Sequence, residues 1–227
     1  MIPKVVIFIL RPFAKPIRYG ALKIMKKMRH SDDPRPTIAT SGHILDDIVL
    51  PSVFKTFHDT RFRELANFGQ LSIVEHDRIF NELEVAGICM VMDYLDIAKT
   101  FAKDGDFHFW RDVGNGIPER LQEKLISFGV DSVNAQLMKQ LIEMRHEEYS
   151  NLAEHVRRAN DSEGVATDFK SLSSEMKQIA VAIQTTAVGA TDHIRRGEMR
   201  EGDPLIKYLA AWLAPLQSRV GRFFRKL

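Results

Sequence analysis

The feature that most constrains the fold is a stretch near the middle of the chain whose apolar residues surround a helix. Between Leu71 and Lys103, apolar positions recur at three- and four-residue spacing, which predicts one long α-helix. Its central part, Val85–Met92, is apolar on every side. A helix of that kind must be covered all round, so we expect it to form the centre of a helical bundle.

The same spacing runs through most of the remaining sequence. It predicts further helices near residues 44–68, 118–129, 131–160 and 165–183. Pro51 is expected to kink the first of these, and the glycines and aspartates of 104–116 predict an irregular segment there. The helix predicted at 165–183 carries a narrow apolar seam typical of a coiled coil: Val165, Phe169, Leu172, Met176, Ile179 and Ile183. The predicted fold class is all-α.

Charge is segregated along the chain, although the formal net charge is only +2. Residues 1–31 hold eight basic and no acidic residues, and residues 204–227 hold five basic and no acidic ones. All 30 acidic residues therefore lie between Asp32 and Asp203, together with the remaining 19 basic ones, so this body has a net charge of −11. This pattern predicts an acidic bundle with two cationic ends.

Both ends are also amphipathic. In the terminal helix, apolar residues form one stripe, Leu205, Leu209, Trp212, Leu213, Leu216, Val220, Phe223 and Leu227. Basic amphipathic helices with Trp, Phe and Leu on one face are typical of membrane interfaces, although docking onto the acidic body or a partner explains the pattern equally well. The predicted membrane or partner contacts are Lys15, Arg18, Lys26, Arg29, Trp212, Leu216, Arg219, Arg222, Phe223, Arg225 and Lys226.

These features predict four parts in the chain: a basic amphipathic segment at 1–30, a linker at 31–42, a helical bundle at 43–203 and a basic amphipathic helix at 204–227. The linker prediction rests on its Asp-Asp-Pro sequence and two prolines. No stretch reaches the roughly 18 consecutive apolar residues of a membrane-spanning helix.

Polar residues on core-facing arcs of two predicted helices suggest a metal site. His76, Asp77 and Glu84 fall on the apolar arc of the central helix, and Glu148 and His155 on that of the 131–160 helix. Buried ionisable groups are costly unless they are paired or bind a metal. Imidazole and carboxylate ligands together suit iron, manganese or zinc. A hydrogen-bonded polar network is the alternative interpretation.

Two functional hypotheses follow. The leading one is a non-enzymatic interaction or assembly module without a cofactor, held on a membrane surface or in a protein complex by its basic ends, with homo-oligomers left open. The alternative is a metal- or cofactor-binding protein, enzymatic if the site is catalytic, that uses the core-facing His and carboxylate residues and a transition metal. The acidic body disfavours nucleic acid as a partner.

The expected location is the cytoplasm, with membrane association. The single cysteine, Cys89, cannot form an internal disulfide and gives no sign of an oxidising compartment. The basic, acid-free start is also compatible with mitochondrial targeting.

Overall fold

The computed structural model describes residues 35–101, 107–161 and 171–225, and these residues form helices without any strand. The predicted all-α class and bundle architecture are confirmed. The elements are α1 (Arg35–His43), a π-helix (Ile44–Val49), α2 (Leu50–Phe57), α3 (Thr60–Leu65), a 3-10 turn (Phe68–Gln70), α4 (Ile73–Phe101), α5 (Phe107–Ser127), α6 (Ser132–Asp161), α7 (Ser174–Ile194) and α8 (Pro204–Phe224).

The long helix α4 is the centre of the bundle, as its sequence predicts. It packs against α2, α5, α6, α7 and α8, and every residue from Glu82 to Met92 is buried. Gly87 lets the neighbouring elements approach closely. A Cβ atom added there would lie 3.3 Å from Val49 Cγ1 in the π-helix and 3.5 Å from the Trp212 ring in α8.

Helix α5 corrects the prediction of an irregular segment at 104–116, because the helix already begins at Phe107. Trp110, Val113 and Ile117 recur at three- and four-residue spacing and are buried. That spacing drives helix formation against a neighbour and outweighs the local glycines. Pro118 lies inside the helix instead of in its first turn.

Helix α1 occupies residues 35–42 of the predicted linker and therefore corrects its extent. The buried Ser41 hydroxyl donates a hydrogen bond to the Val113 carbonyl at 2.8 Å, which ties α1 to α5. The π-helix that follows buries Ile44, Leu45, Ile48 and Val49 in the core. Pro51 lies in the first turn of α2, where its missing N–H costs no helical hydrogen bond.

Helix α8 is an integral part of the bundle. Asp203 caps its first turn by accepting a hydrogen bond from the Leu205 N–H at 2.9 Å. The helix packs against α3, α4, α7 and the π-helix. Most of its predicted apolar stripe is buried there: Leu205, Leu209, Leu213, Leu216 and Val220. Within the described parts of the chain, no helix is sufficiently long and apolar to cross a membrane.

The predicted heptad seam lies partly outside the described residues, which resume at Ser171. Its later members, Ile179 and Ile183, are buried in the core. Helix α7, which carries them, packs against α4, α6 and α8. These later members of the seam therefore serve the packing of this bundle, and a coiled coil with a second chain stays a prediction.

Gly189 of α7 lies against Tyr149 of α6, whose side chain is fully buried. A Cβ atom at residue 189 would lie 2.2 Å from Tyr149 Cε1 and 2.6 Å from its Cδ1. Real side chains do not approach so closely, and a buried ring has little room to move. The small residue is therefore required for these two helices to pack.

We expect Gly189→Ala to lower the free energy of unfolding by about 1–3 kcal/mol through overpacking, although alanine favours helix formation. The measurement is chemical denaturation. The matched control is Gly42→Ala, because a Cβ atom at Gly42 meets nothing within 4 Å. The control should be neutral or stabilising by up to about 1 kcal/mol. Equal effects of both changes would contradict the packing argument.

Candidate functional site

The residues predicted to bind a metal lie in separate surroundings. The His76 ring stacks on Phe68 with ring centroids 4.4 Å apart, and its Nε2 atom lies 3.0 Å from the Phe68 carbonyl oxygen. The side chains of Asp77 and His155 are exposed. Glu148 accepts from His193 Nε2 at 3.0 Å and from Arg145 at 3.2 Å.

Glu84 is the fifth predicted ligand, and it is buried, with 5% of its surface exposed. Within residues 35–101, 107–161 and 171–225, no group of three or more His, Cys, Asp and Glu side chains is arranged to hold a metal ion. The structure does not bring the five residues together, and metal binding stays a prediction. The helical wheel placed these residues on core-facing arcs, but side chains at the edges of those arcs turn outward or find local partners.

A partly buried polar network joins α4 to α6, through residues outside the predicted metal cluster. His146 Nε2 lies 3.1 Å from Asp93 Oδ1 and 3.9 Å from Asp96 Oδ2. The Lys99 ammonium group contacts Asp96 at 2.7 Å, so this carboxylate already has a cationic partner. Burial opposes the charged imidazolium, but the hydrogen bond and charge of Asp93 outweigh it and raise the pKa of His146.

About three helical turns before Asp93 on α4, Glu82 meets Arg145, the residue that precedes His146 on α6. The two side chains approach to 3.3 Å and are both largely buried. An ion pair in this environment stabilises little overall, but removal of one partner leaves a buried charge. The two pairs fix the register of α4 against α6.

A groove with a cavity volume of about 270 Å³ runs between α2 and α8. Its floor includes two residues predicted as contacts, Trp212 and Leu216. The Trp212 indole N–H donates to Ser52 Oγ at 2.9 Å, so its polar atom is satisfied inside the protein. Desolvation and the hydrogen bond to Asp59 both raise the pKa of the Tyr208 hydroxyl, another lining group.

Two cations, Lys55 and Arg219, complete the lining of the groove. The Asp59 carboxylate accepts a hydrogen bond from the Phe62 N–H at 2.9 Å and one from Tyr208, so it already has hydrogen-bond donors within the fold. Arg219 has no hydrogen-bond or ion-pair partner among the described residues. The groove therefore offers cationic side chains beside an aromatic and apolar floor, a surface that suits an anionic group.

The remaining cations of α8 also face solvent. Lys207, Arg219 and Arg222 are exposed, and Arg225 is half-buried. Trp212 and Phe223 are half-buried, and Leu216 is buried, so the side of α8 that could enter a membrane lies against the bundle. The predicted contacts Lys15, Arg18, Lys26, Arg29 and Lys226 lie outside the described residues.

Comparisons with protein-family models, with curated proteins and with solved structures gave no match. Interpretation of the candidate surfaces therefore rests on their own geometry and charge.

An exposed apolar surface lies on the hairpin of α5 and α6, and sequence reasoning missed it. Its side chains are each between 45% and 73% exposed: Ile126, Phe128, Val133, Leu137 and Met144. The spacing of the last three along α6 places them on one face of that helix. A helical-wheel projection of α6 shows this apolar face, but the sequence alone does not tell which apolar face of a helix becomes buried.

Glu84 shows how a buried carboxyl group without a partner affects stability. It has no hydrogen bond or ion pair within the described residues, and burial raises its pKa from 4.5 to about 7. The folded state therefore holds a proton that the unfolded chain releases above pH 4.5. Protonation of Glu84 in the folded state favours folding at low pH, and this contribution to stability is lost as the pH rises from 4.5 to about 7.

We expect Glu84→Gln to raise the free energy of unfolding above that of the parent. The increase should be about 3 kcal/mol larger at about pH 8 than at about pH 4. The neutral amide removes the cost of ionising a buried carboxyl group. Denaturation curves of both proteins at the two pH values give this difference. Glu147→Gln, at an exposed position of α6, is the control and should show little dependence. A pH-independent effect of Glu84→Gln would contradict the argument.

Proposed function

We propose that the protein is a non-enzymatic helical interaction module that attaches to an anionic membrane surface through its cationic ends. The observation that carries this proposal is the charge segregation: 13 basic residues and no acidic one in residues 1–31 and 204–227 together. Each Lys or Arg near an anionic lipid surface contributes about 1 kcal/mol of attraction. The acidic body would be held away from the same surface by repulsion.

In this proposal the two ends have different tasks. Because the apolar stripe of α8 is used in the core, α8 would contribute charge rather than insertion. Its exposed cations are Lys207, Arg219 and Arg222, and Arg219 lines the groove together with Lys55 of α2. The N-terminal segment would supply apolar side chains for the interface, since Phe13, Ile17, Ala21, Ile24, Met25 and Met28 recur at helical spacing.

The metal-binding alternative that the sequence suggested has no comparable observation in its favour among the described residues. It requires His76, Glu84, Glu148 and their companions to converge, and the described residues do not bring them together. A protein partner with an acidic surface could use the same cations as a membrane. Phospholipid vesicles are the simplest probe, because their surface charge can be set directly.

We expect the full-length protein to cosediment with vesicles that contain phosphatidylserine, and binding to weaken as salt rises from about 0.1 M to about 0.5 M, because salt screens exposed charges. Replacing Lys23, Lys26, Lys27 and Arg29 with Gln should lower the affinity by about 100-fold or more, from about 1 kcal/mol per residue. Lys55→Ala with Arg219→Ala should lower it by a smaller factor.

The matched control is Arg120→Gln with Lys139→Gln, which removes cations of α5 and α6 that pair with Glu123 and Glu119. It should leave vesicle binding unchanged, and circular dichroism should show the same helix content in all variants. Failure of the full-length protein to bind anionic vesicles at any salt concentration would overturn the proposal and favour a protein partner.

A further inference from the structure

The exposed apolar surface of the α5–α6 hairpin has no role in the core or in the proposed function. On α6 it consists of Val133, Leu137 and Met144, which are 53–67% exposed. Together with the exposed Gln140, these residues recur at spacings of four, three and four. One helix packs along another with this spacing. We call these four residues the α6 strip.

Residues of α5 widen the α6 strip. Gln122 of α5 bonds Gln136 of α6 at 2.8 Å. Ile126 lies one turn after Gln122 on the same face of α5, and Val133 lies one turn before Gln136 on α6. Because the two helices run antiparallel, Ile126 is level with Val133. Phe128 follows at the tip of the hairpin and is 73% exposed, so the apolar surface is continuous across both helices.

This surface is almost free of charge. Residues 125–138 contain one charged residue, Asp131, whereas 27% of 14 residues would be about four. The Asp131 carboxylate caps α6, since it accepts a hydrogen bond from the Asn134 N–H at 2.9 Å. The centres of protein interfaces are depleted of charge in the same way. Residues 32–203 carry a net charge of −11, so two copies can approach closely only where the surface is neutral.

The hairpin tip is separate from the cations that end α8. The Phe224 ring lies 4.5 Å from Trp110 near the start of α5, and Arg222 and Arg225 flank Phe224 in the sequence. From Trp110 to Ser127, α5 extends about 25 Å. The apolar surface around the tip therefore needs an occupant other than the anionic surface that those cations would contact.

The α6 strip is complementary to a second copy of itself in one orientation. Two α6 helices can run antiparallel about a two-fold axis midway between Leu137 and Gln140. Val133 of each copy then faces Met144 of the other, and Leu137 faces Gln140. All four contacts of the strip are thus made without a charged side chain.

The residues that flank the strip agree with this orientation. In the antiparallel pair, the uncharged Gln136 of one copy lies beside Glu143 of the other. Glu143 also lies 4.0 Å from the Lys139 ammonium group of its own chain. A parallel pair would instead place the exposed Glu147 of one copy opposite Glu147 of the other, and like charges would repel.

The apolar area is sufficient for a weak dimer. Five side chains, each 45–73% exposed, present on the order of 500 Å² of apolar surface in each copy: Ile126, Phe128, Val133, Leu137 and Met144. Two copies together would cover about 1,000 Å², which is the lower limit for a specific interface. We therefore expect reversible association at micromolar concentrations.

We propose that the protein forms a two-fold symmetric dimer through the α5–α6 hairpin, in which the α6 strips of two copies pack antiparallel. Gln140, the polar member of the strip, sets the register of the two helices and lowers their affinity, as single polar residues do in coiled coils. Dimer formation does not depend on the membrane function proposed above.

The first test is sedimentation velocity of the full-length protein from about 1 μM to about 200 μM, a range chosen for an interface of this size. We expect the average mass to rise with concentration from 26.0 kDa towards twice that value. Leu137→Glu should weaken association at least tenfold, because it places a charge in the interface. Gln140→Leu should strengthen it at least tenfold. The control is Ile73→Glu, which adds the same charge at an apolar residue of α4 that is 77% exposed.

The second test is a disulfide that reports the register. Val133→Cys and Met144→Cys in the same chain lie about 17 Å apart along α6, too far for a disulfide within one chain. Mild oxidation should therefore give a covalent dimer on a non-reducing gel. Val133→Cys with Asn151→Cys, seven residues further along the same face, should react at least tenfold more slowly. The native Cys89 is fully buried and does not compete.

Three results would overturn the dimer or its interface. The first is a mass of 26.0 kDa at every concentration. The second is a dimer that Leu137→Glu leaves unchanged, and the third is an equal rate of crosslinking for the two cysteine pairs. If the parent stays monomeric and Leu137→Glu weakens its binding to phosphatidylserine vesicles, the hairpin contacts a membrane instead. Circular dichroism should show the same helix content in all variants, since every changed position is exposed.

Discussion

The complete burial of the middle of α4 is the constraint on which the rest of the structure depends. A helix that is apolar all round cannot rest on a single partner, because any uncovered side would expose apolar surface to water. Helices α2, α5, α6, α7 and α8 each cover part of it. The positions of Gly87 and Gly189, where neighbouring side chains approach closely, follow from the tight packing that this arrangement requires.

Most charged side chains lie outside that core. The exceptions are informative: Glu82 is paired with Arg145 and Asp93 with His146, whereas Glu84 has no partner within the described residues and its pKa is raised to about 7. Paired groups fix how α4 and α6 align, and the unpaired one costs stability at neutral pH. The paired polar residues of the α4–α6 interface thus contribute to the alignment of the two helices.

The sequence predicted the helical class and α4 to within two residues at each end, because a long periodic pattern is a strong signal. It also predicted α8, with its cations and its apolar residues on different sides of the helix. It failed at α5, where glycines and Pro118 concealed a real apolar face formed by Trp110, Val113 and Ile117. Local propensity is a weak signal, and packing against α1 and α4 decides the outcome.

The candidate sites were less predictable for a different reason. Whether His76 meets Glu148 depends on the rotation of two helices about their axes, and a wheel gives this only to within a few tens of degrees. The same uncertainty hid the contact of His146 with Asp93 and the exposure of Leu137. Partner choice is a property of three-dimensional packing, and one sequence shows only the face that each helix could offer.

The place of α8 in the bundle has a consequence for how the protein folds. Val49 and Trp212 are far apart in the sequence, yet a Cβ atom added at Gly87 of α4 would contact both side chains. The cover on this side of α4 is therefore built from distant segments, and such contacts form slowly because a long loop must close first. Until α8 docks, this side of α4 exposes apolar surface, which is a target for chaperones and for aggregation.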